Sequence, residues 1–235
     1  MSNTRGKRRG GRARLKQIKL NLGYLINVGG WSESAENPSV AGSDRRVSAE
    51  ALADYGGPMS ETPIVQKGLA ALPEPVKGAV ITVSDRCVSG EREDLSGPLA
   101  QRLLAEHDVI VDTVDLVPDG VEPVREAIRR AVSAGARVVL TTGGTGVTPR
   151  DLTPEATAPL LETRIEGIEA QIRAHGLTKT PLAGLSRGLV GVTSRGADGA
   201  LVVNAPGSRG GVKDTVAVVG PLVPHVLEQL GGGDH

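Results

Sequence analysis

Hydrophobic and polar positions follow no sustained period before about residue 76; beyond it, short apolar runs alternate with amphipathic stretches. GAVITVSD (78–85) is an unbroken apolar run ending in polar residues, the pattern of a strand covered on both faces. SGPLAQRLLAEH (96–107) sets Leu99, Leu103 and Leu104 at helical spacing behind Ser96 as a cap and an early proline. DVIVDTVDLV (108–117) alternates as one strand. GVEPVREAIRRAVSAG (120–135) places Val124, Ile128 and Val132 on one helical stripe, with Gly135 as the C-cap. ARVVLTTGG (136–144) predicts a third strand running into glycine. TPEATAPLLETR (153–164) starts a helix, and IEGIEAQIRAHG (165–176) is expected to continue it. LVGVTS and GALVVNAPG read as late strands, and Val212 to Leu230 as a final helix broken near Gly220–Pro221. Strands alternating with helices over short loops predict an α/β sandwich with a largely parallel sheet.

Sites in such folds lie at the carboxyl ends of the strands. The polar residues of this chain cluster there. Ser84–Asp85–Arg86 follows the first strand, Asp115 and Pro118–Asp119–Gly120 the second, Thr141 to Asp151 the third, and Asn204 to Ser208 the last. Four such exits predict one crevice.

Composition narrows what the crevice can bind. Hydrophobic residues make up 39% of 235, and formal net charge is zero, so the chain as a whole has the composition of a folded protein. The zero conceals an asymmetry: residues 1–75 carry 11 Lys/Arg against 7 Asp/Glu, and residues 76–235 carry 16 against 20. Eight of those cations fall within the first 20 residues, with no acid. A basic run can bind nucleic acid, but the reading adopted is a solvated, disordered extension followed by a Gly/Ser/Pro-rich linker to residue 75. Met59, opening MSETPIVQKG, is expected to be a natural translation start. Phe is absent, and Trp31, Tyr24 and Tyr55 all precede residue 76, which argues against base stacking on single-stranded nucleic acid. Cys87 stands alone, which excludes an intramolecular disulfide and fits a reducing cytoplasm. His107, His175, His225 and His235 lack ligand spacing, and no apolar run approaches the ~20 residues of a membrane span.

TTGGTGVTPRDLTPEAT (141–157) is the most informative stretch. Gly143, Gly144 and Gly146 let backbone turn tightly and approach a ligand, while Thr141, Thr142, Thr145 and Thr148 offer hydroxyls. Thr153 is expected to cap the helix that follows, whose N-terminus favours an anion. The loop therefore suits phosphate, although a glycine turn after a strand also serves as a plain connection. It matches neither the dinucleotide fingerprint nor a P-loop. Asp119 and Asp151 would repel a phosphate unless a cation intervened, and Mg²⁺ is the natural one. For either Asp alone, a cap or turn role is the competing reading. Asp85, Asp94, Asp115 and Asp198 are expected to cap or face solvent. Arg150 contacts phosphate or pairs with a nearby carboxylate.

This stretch resembles the signature of the MoaB/Mog family, the molybdopterin adenylyltransferases of molybdenum-cofactor biosynthesis. The similarity continues through ITVSDRCVSGEREDLSGPLAQRLL, LVPDG, AGLSRGLVG and VVNAPGSRGGVKDTV, over about residues 76–231. The resemblance implies a three-layer αβα domain spanning 76–235 that assembles as a trimer or hexamer in the cytoplasm. It implies transfer of AMP from ATP to the molybdopterin phosphate with release of pyrophosphate, and a molybdenum-insertion protein downstream. Asp119 and Asp151 match the family's catalytic aspartates, and Mg²⁺ would be theirs. Thr141, Thr142, Gly143, Gly144, Thr145 and Gly146 become the ligand loop; Ser186, Asn204, Pro206 and Gly207 further walls; Ser84, Asp85 and Arg86 sit at the same mouth. The chain departs from the pattern at Ala205–Arg209, where Leu-Pro-Gly-x-Pro is usual. A non-catalytic pterin carrier is the alternative reading.

Overall fold

The computed structural model describes residues 72–233, which fall within the unit 62–235. The basic extension, Met59, Trp31, Tyr24, Tyr55 and His235 lie outside the described residues. Seven strands form one sheet in the order β2-β1-β4-β7-β6-β5, with β3 also on β1. They are β1 (Val76–Val83), β2 (Val109–Ile110), β3 (Val114–Val117), β4 (Val138–Thr142), β5 (Thr163–Arg164), β6 (Val190–Val192) and β7 (Leu201–Ala205). β1 pairs in parallel with β2, β3 and β4, and β4 with β7, whereas β6 runs antiparallel to both β5 and β7. The helices are α1 (Asp85–Val88), α2 (Gly97–Ala105), α3 (Val121–Ser133), α4 (Thr153–Thr157), α5 (Glu166–Leu177), α6 (Arg209–Val219) and α7 (Val223–Leu230).

Successive strand residues feed opposite sides of the sheet, which accounts for the unbroken apolar runs. Val80, Val138, Leu140, Leu201 and Val203 join one core with Leu99 and Leu104 of α2, Val212 and Val216 of α6, and Leu227 of α7. Ile81, Val83, Val139 and Val202 join the other with Val124, Ala127 and Ile128 of α3 and Ala156 of α4. The result is the expected αβα sandwich with a mostly parallel sheet. The last helix breaks at a 3-10 turn, Gly220–Leu222, where the proline stands.

Two expected elements are corrected. The strand expected over 108–117 divides into β2 and β3, because the amide of Gln101 on α2 donates to the Val111 carbonyl at 2.7 Å and takes it out of the ladder. The helix expected to run from 153 to 176 divides into α4 and α5. A 3-10 turn at Ala158–Leu160 carries Pro159, and Leu161 turns extended so that β5 can pair with β6. Arg164 holds that edge through Glu169, buried to 3% exposure, whose carboxylate also accepts the Val190 N–H at 3.1 Å.

A third correction is local but affects the site. Ser96 makes no side-chain cap to α2. Asp94 does it instead, accepting from the Ser96 amide and hydroxyl and the Gly97 amide, each at 3.0 Å, and from Thr82 Oγ1 at 2.7 Å. Its role as a cap fits the sequence expectation.

Leu140→Ala, in the first core at 1% exposure, is expected to lower unfolding free energy by about 2–5 kcal/mol. Val147→Ala, 68% exposed, is expected to change it by under about 0.5 kcal/mol. Urea titration of both variants compares them; a small effect at Leu140 would refute this core assignment.

Candidate functional site

The carboxyl ends of β3, β1, β4 and β7 lie side by side in the sheet, so the four polar loops meet at one edge. Glycine makes that meeting close. Gly143 has φ +113°, and a Cβ there would collide with the Val83 carbonyl oxygen. Gly144 has φ +62°, and its Cβ would strike Thr153 Oγ1. A Cβ on Gly207 would stand 3.1 Å from Gly143 Cα. Gly143 and Gly144 require glycine both for conformation and for space, and Gly207 is tight for space alone.

Buried hydroxyls fix the turn from below. Asn204 on β7 lies opposite Thr141 on β4 in the parallel ladder. Its amide nitrogen donates to Thr141 Oγ1 and Thr157 Oγ1, both at 3.0 Å, and its amide oxygen accepts from Leu189 N–H at 3.2 Å. Thr157 Oγ1 donates to the Thr153 carbonyl at 2.8 Å, and Thr153 Oγ1 donates to the Gly143 carbonyl at 2.9 Å. The Thr153 amide closes on the Gly144 carbonyl at 3.1 Å. Thr142 Oγ1 donates to the Pro206 carbonyl at 3.1 Å.

These contacts correct four side-chain expectations. Thr141, Thr142 and Asn204 are at most 2% exposed, and their side chains bond one another, Thr157 and backbone, so they brace the loop. Thr153 is no cap; Leu152 holds the cap position, and the threonine hydroxyl secures Gly143 instead. Thr145 is also buried, and its carbonyl accepts the Arg187 N–H at 2.9 Å. The Gly144 and Thr145 amides make no hydrogen bond to a described residue, which leaves backbone donors on the turn.

The carboxylates occupy two places along this edge. Asp119 and Asp85 exchange bonds: Asp119 Oδ2 accepts the Asp85 N–H at 2.9 Å, and Asp85 Oδ1 accepts the Asp119 N–H at 3.0 Å. Ser84 caps α1, its Oγ accepting from Cys87 N–H at 3.3 Å, and its own amide donates to the Val117 carbonyl. Asp151 belongs to the glycine loop, where its Oδ2 accepts the Thr148 N–H at 2.8 Å. The exits of β3 and β4 flank β1, about 10 Å apart at ordinary strand spacing.

Arg187 is the functional candidate that sequence reasoning missed. The AGLSRG stretch pointed to Ser186, whose hydroxyl accepts the Gly188 amide at 3.3 Å. The next residue reaches the loop: Arg187 Nε donates to the Gly146 carbonyl at 2.7 Å, and its terminal nitrogens bind the Asp151 carbonyl and the Glu155 carboxylate. A lone cation ahead of a strand beside a glycine loop was the signal available. Arg150, by contrast, is exposed and has no partner among the described residues, so the pairing entertained for it falls to Arg187. Arg86 is exposed, Pro206 half-buried, and Gly207 exposed at the mouth.

Electrostatics follow this geometry. Partial burial pushes the Asp151 carboxyl up, but the Thr148 hydroxyl and amide, the Gly146 amide and the Arg187 charge outweigh it and hold the group below its ordinary value. The Arg187 hydrogen bond does the same for Glu155 against a smaller burial effect. Burial raises Asp94, and its bonds from Gly97, Thr82 and Ser96 more than compensate.

Among the described residues no group of three or more His, Cys, Asp or Glu side chains stands ready to hold a metal, and no helix is long and apolar enough to cross a membrane. The donor chemistry suits Mg²⁺ at either place, the Asp85/Asp119 pair at one exit or Asp151 at the other. Asp85, Asp119 and Asp151 each keep a carboxylate oxygen outside the bonds just described, and Mg²⁺ takes one or two carboxylates with phosphate and water completing its shell.

Residues 79–225 match the family described as "Probable molybdopterin binding domain". The chain belongs to the MoaB/Mog family of molybdenum-cofactor biosynthesis. It is 40% identical over 162 residues to a molybdenum cofactor biosynthesis bifunctional protein of Synechococcus elongatus, covering 68% of this chain and 49% of that one. The chain thus spans about half the length of that relative. A molybdopterin adenylyltransferase of Pyrococcus furiosus is 38% identical over 160 residues, covering 66% of this chain and 92% of the relative. The crystal structure of a molybdopterin biosynthesis protein from Mycobacterium abscessus superposes with a TM-score of 0.61 at 43% identity, covering 66% of this chain and 96% of that one.

Two tests address the brace and the charges. Asn204→Ala strands the Leu189 amide and two hydroxyls, and is expected to cost about 1–3 kcal/mol and to speed amide exchange at Gly143 and Gly144; unchanged exchange would refute the brace. Asp94, Asp151 and Glu155 have depressed folded pKa values. Their stabilisation is therefore complete above the unfolded carboxyl values near ~4 and lost as pH falls through the folded ones. Melting temperature should fall below about pH 4, and less steeply in Asp151→Asn.

Proposed function

We propose that this chain is a molybdopterin adenylyltransferase, joining AMP from ATP to the terminal phosphate of molybdopterin and releasing pyrophosphate. The observation that carries the reading is the convergence of Asp85, Asp119 and Asp151 with the glycine turn on one sheet edge, within a chain of the MoaB/Mog family. The adenylyltransferase relative, 92% covered, supports it.

The chemistry asks little of a base. A phosphate monoester has its second pKa at about 6, so near neutral pH its oxygen is already an anionic nucleophile. That oxygen attacks the α-phosphorus of ATP, the bond to the β-phosphate breaks, and the electron pair leaves with pyrophosphate. The protein's task is alignment and charge neutralisation. The Gly144 and Thr145 amides are donors for phosphate oxygen, with Gly143, Gly146, Pro206 and Gly207 giving the close approach. Ser84, Asp85, Arg86 and Ser186 line the same mouth. Asp119 and Asp151 would hold Mg²⁺, which supplies charge neutralisation on the phosphates when bound. Arg187 positions the loop.

The product is expected to pass to a molybdenum-insertion protein in the cytoplasm. Exposed Leu177, Leu182 and Leu185 suit assembly of copies, and a homotrimer is the expected state, with a hexamer as the larger one. No aromatic platform for nucleic acid accompanies the site, since residues 76–235 contain no Phe, Tyr or Trp.

Asp151→Asn keeps an acceptor for the Thr148 N–H while removing the charge. It is expected to lower turnover about 100-fold with a smaller change in pterin affinity, measured as pyrophosphate release from ATP, Mg²⁺ and molybdopterin. Unchanged turnover excludes the role. Pterin binding without pyrophosphate release in the wild type would favour the carrier reading.

A further inference from the structure

A groove of about 570 Å³ lies outside the carboxylate site, between α2 and α6. Pro98, Leu99 and Arg102 of α2 form one wall, and Arg209, Gly210 and Lys213 of α6 the other. Arg209 stands where the family pattern usually has proline. All three cations are exposed, and none makes a hydrogen bond or ion pair with a described residue. The two acids at the rim, Glu93 and Asp94, offset part of this charge and leave one net positive charge. Asp94 has both oxygens occupied by four hydrogen bonds from Thr82, Ser96 and Gly97, so neither it nor Glu93 forms an ion pair with the three cations.

The groove adjoins the glycine loop. Arg209 follows Ser208 and Gly207, and Gly207 lies against Gly143. On the other wall Asp94 is tied to Thr82 of β1, whose ladder partner is Thr142, the residue before Gly143. The groove and the Gly143–Gly144 turn thus share the carboxyl edge of β1 and β4. Three separate cations on two helices suit a ligand with several anionic oxygens spread along a chain, as in a condensed phosphate, better than a single carboxylate.

We propose that Arg102, Arg209 and Lys213 form a subsite for condensed phosphate, occupied by the β- and γ-phosphates of the nucleotide and by the pyrophosphate they become. Assignment of the nucleotide as occupant rests on the adenylylation reading; affinity for pyrophosphate itself does not. In this arrangement the groove holds the leaving group, and the loop holds the phosphorus under attack.

Calorimetric titration of the full chain in one Mg²⁺ buffer, with pyrophosphate, a non-hydrolysable ATP analogue, AMP and orthophosphate, tests the proposal. The variant is Arg102→Gln/Arg209→Gln/Lys213→Gln, whose exposed positions predict an unchanged melting temperature; Lys213→Gln alone is the milder check. The triple variant is expected to bind pyrophosphate and the ATP analogue at least about tenfold more weakly, a loss typical of charged hydrogen bonds, with AMP affinity within about twofold. Orthophosphate should bind more weakly than pyrophosphate in the wild type and lose less in the variant. Wild-type pyrophosphate affinity in the triple variant, equal losses for AMP, or no pyrophosphate binding by the wild type would each overturn the subsite. If the wild type binds pyrophosphate through these residues yet forms no adenylylated pterin, the reaction falls and the subsite stands. If adenylylation proceeds and the variant binds as the wild type does, the reverse holds.

Discussion

The site depends on a buried amide held between two strands. Asn204 at 2% exposure satisfies its nitrogen on two threonine hydroxyls and its oxygen on a backbone N–H. An unsatisfied buried polar group costs about 1–3 kcal/mol, so each member of this chain is held in place by its neighbours. The bonds run from β7 to β4 and α4 and end on the Gly143 carbonyl. The glycines make the turn sterically possible; the network selects one conformation from the many that glycine allows. Loop residues rich in glycine thereby acquire the rigidity of the sheet beneath them.

Above that brace the charges are arranged so that no carboxylate is wholly free. Asp85 and Asp119 each give one oxygen to the other's amide, tying the β1 and β3 exits together. Asp151 gives one to Thr148, and Arg187 ties the Gly146 and Asp151 carbonyls to Glu155. At Asp151 and Glu155 these contacts hold the carboxyls below their ordinary values, so negative charge stands beside the glycine turn. Arg187 therefore acts through the backbone it holds, and its cost or benefit to a ligand is indirect.

Most of the architecture was legible because burial on both faces writes unbroken apolar runs into β1, β4 and β7, and a single stripe into α3. Elements decided by one side chain were not. The strand over 108–117 alternates correctly, yet Gln101 from another element takes the Val111 carbonyl and divides it. The helical signal of 153–176 carries no mark of a two-residue edge strand, whose stability comes from Arg164, Glu169 and β6. Likewise the glycines of the loop were evident, whereas the inward direction of Thr141, Thr142 and Thr153 was not. A hydroxyl reads the same in sequence whether it faces ligand or core, and only the register of β4 against β7 decides.

This division explains why the threonine-rich loop need not be a loop of ligand hydroxyls. Two of its threonines are strand residues that link the core to the turn, and the Gly144 and Thr145 amides stand outside the hydrogen bonds among the described residues. Backbone donors fixed by a buried network need no reorganisation as charge moves onto a phosphate, whereas exposed hydroxyl rotors would have to be ordered at that moment. The exposed cations on α2 and α6 stand on flexible stems, which in the proposed subsite suits the opposite task. On the proposed reaction, a turn fixed at the reacting phosphorus and flexible charges at the leaving group would be complementary consequences of where this sequence buries its polar atoms.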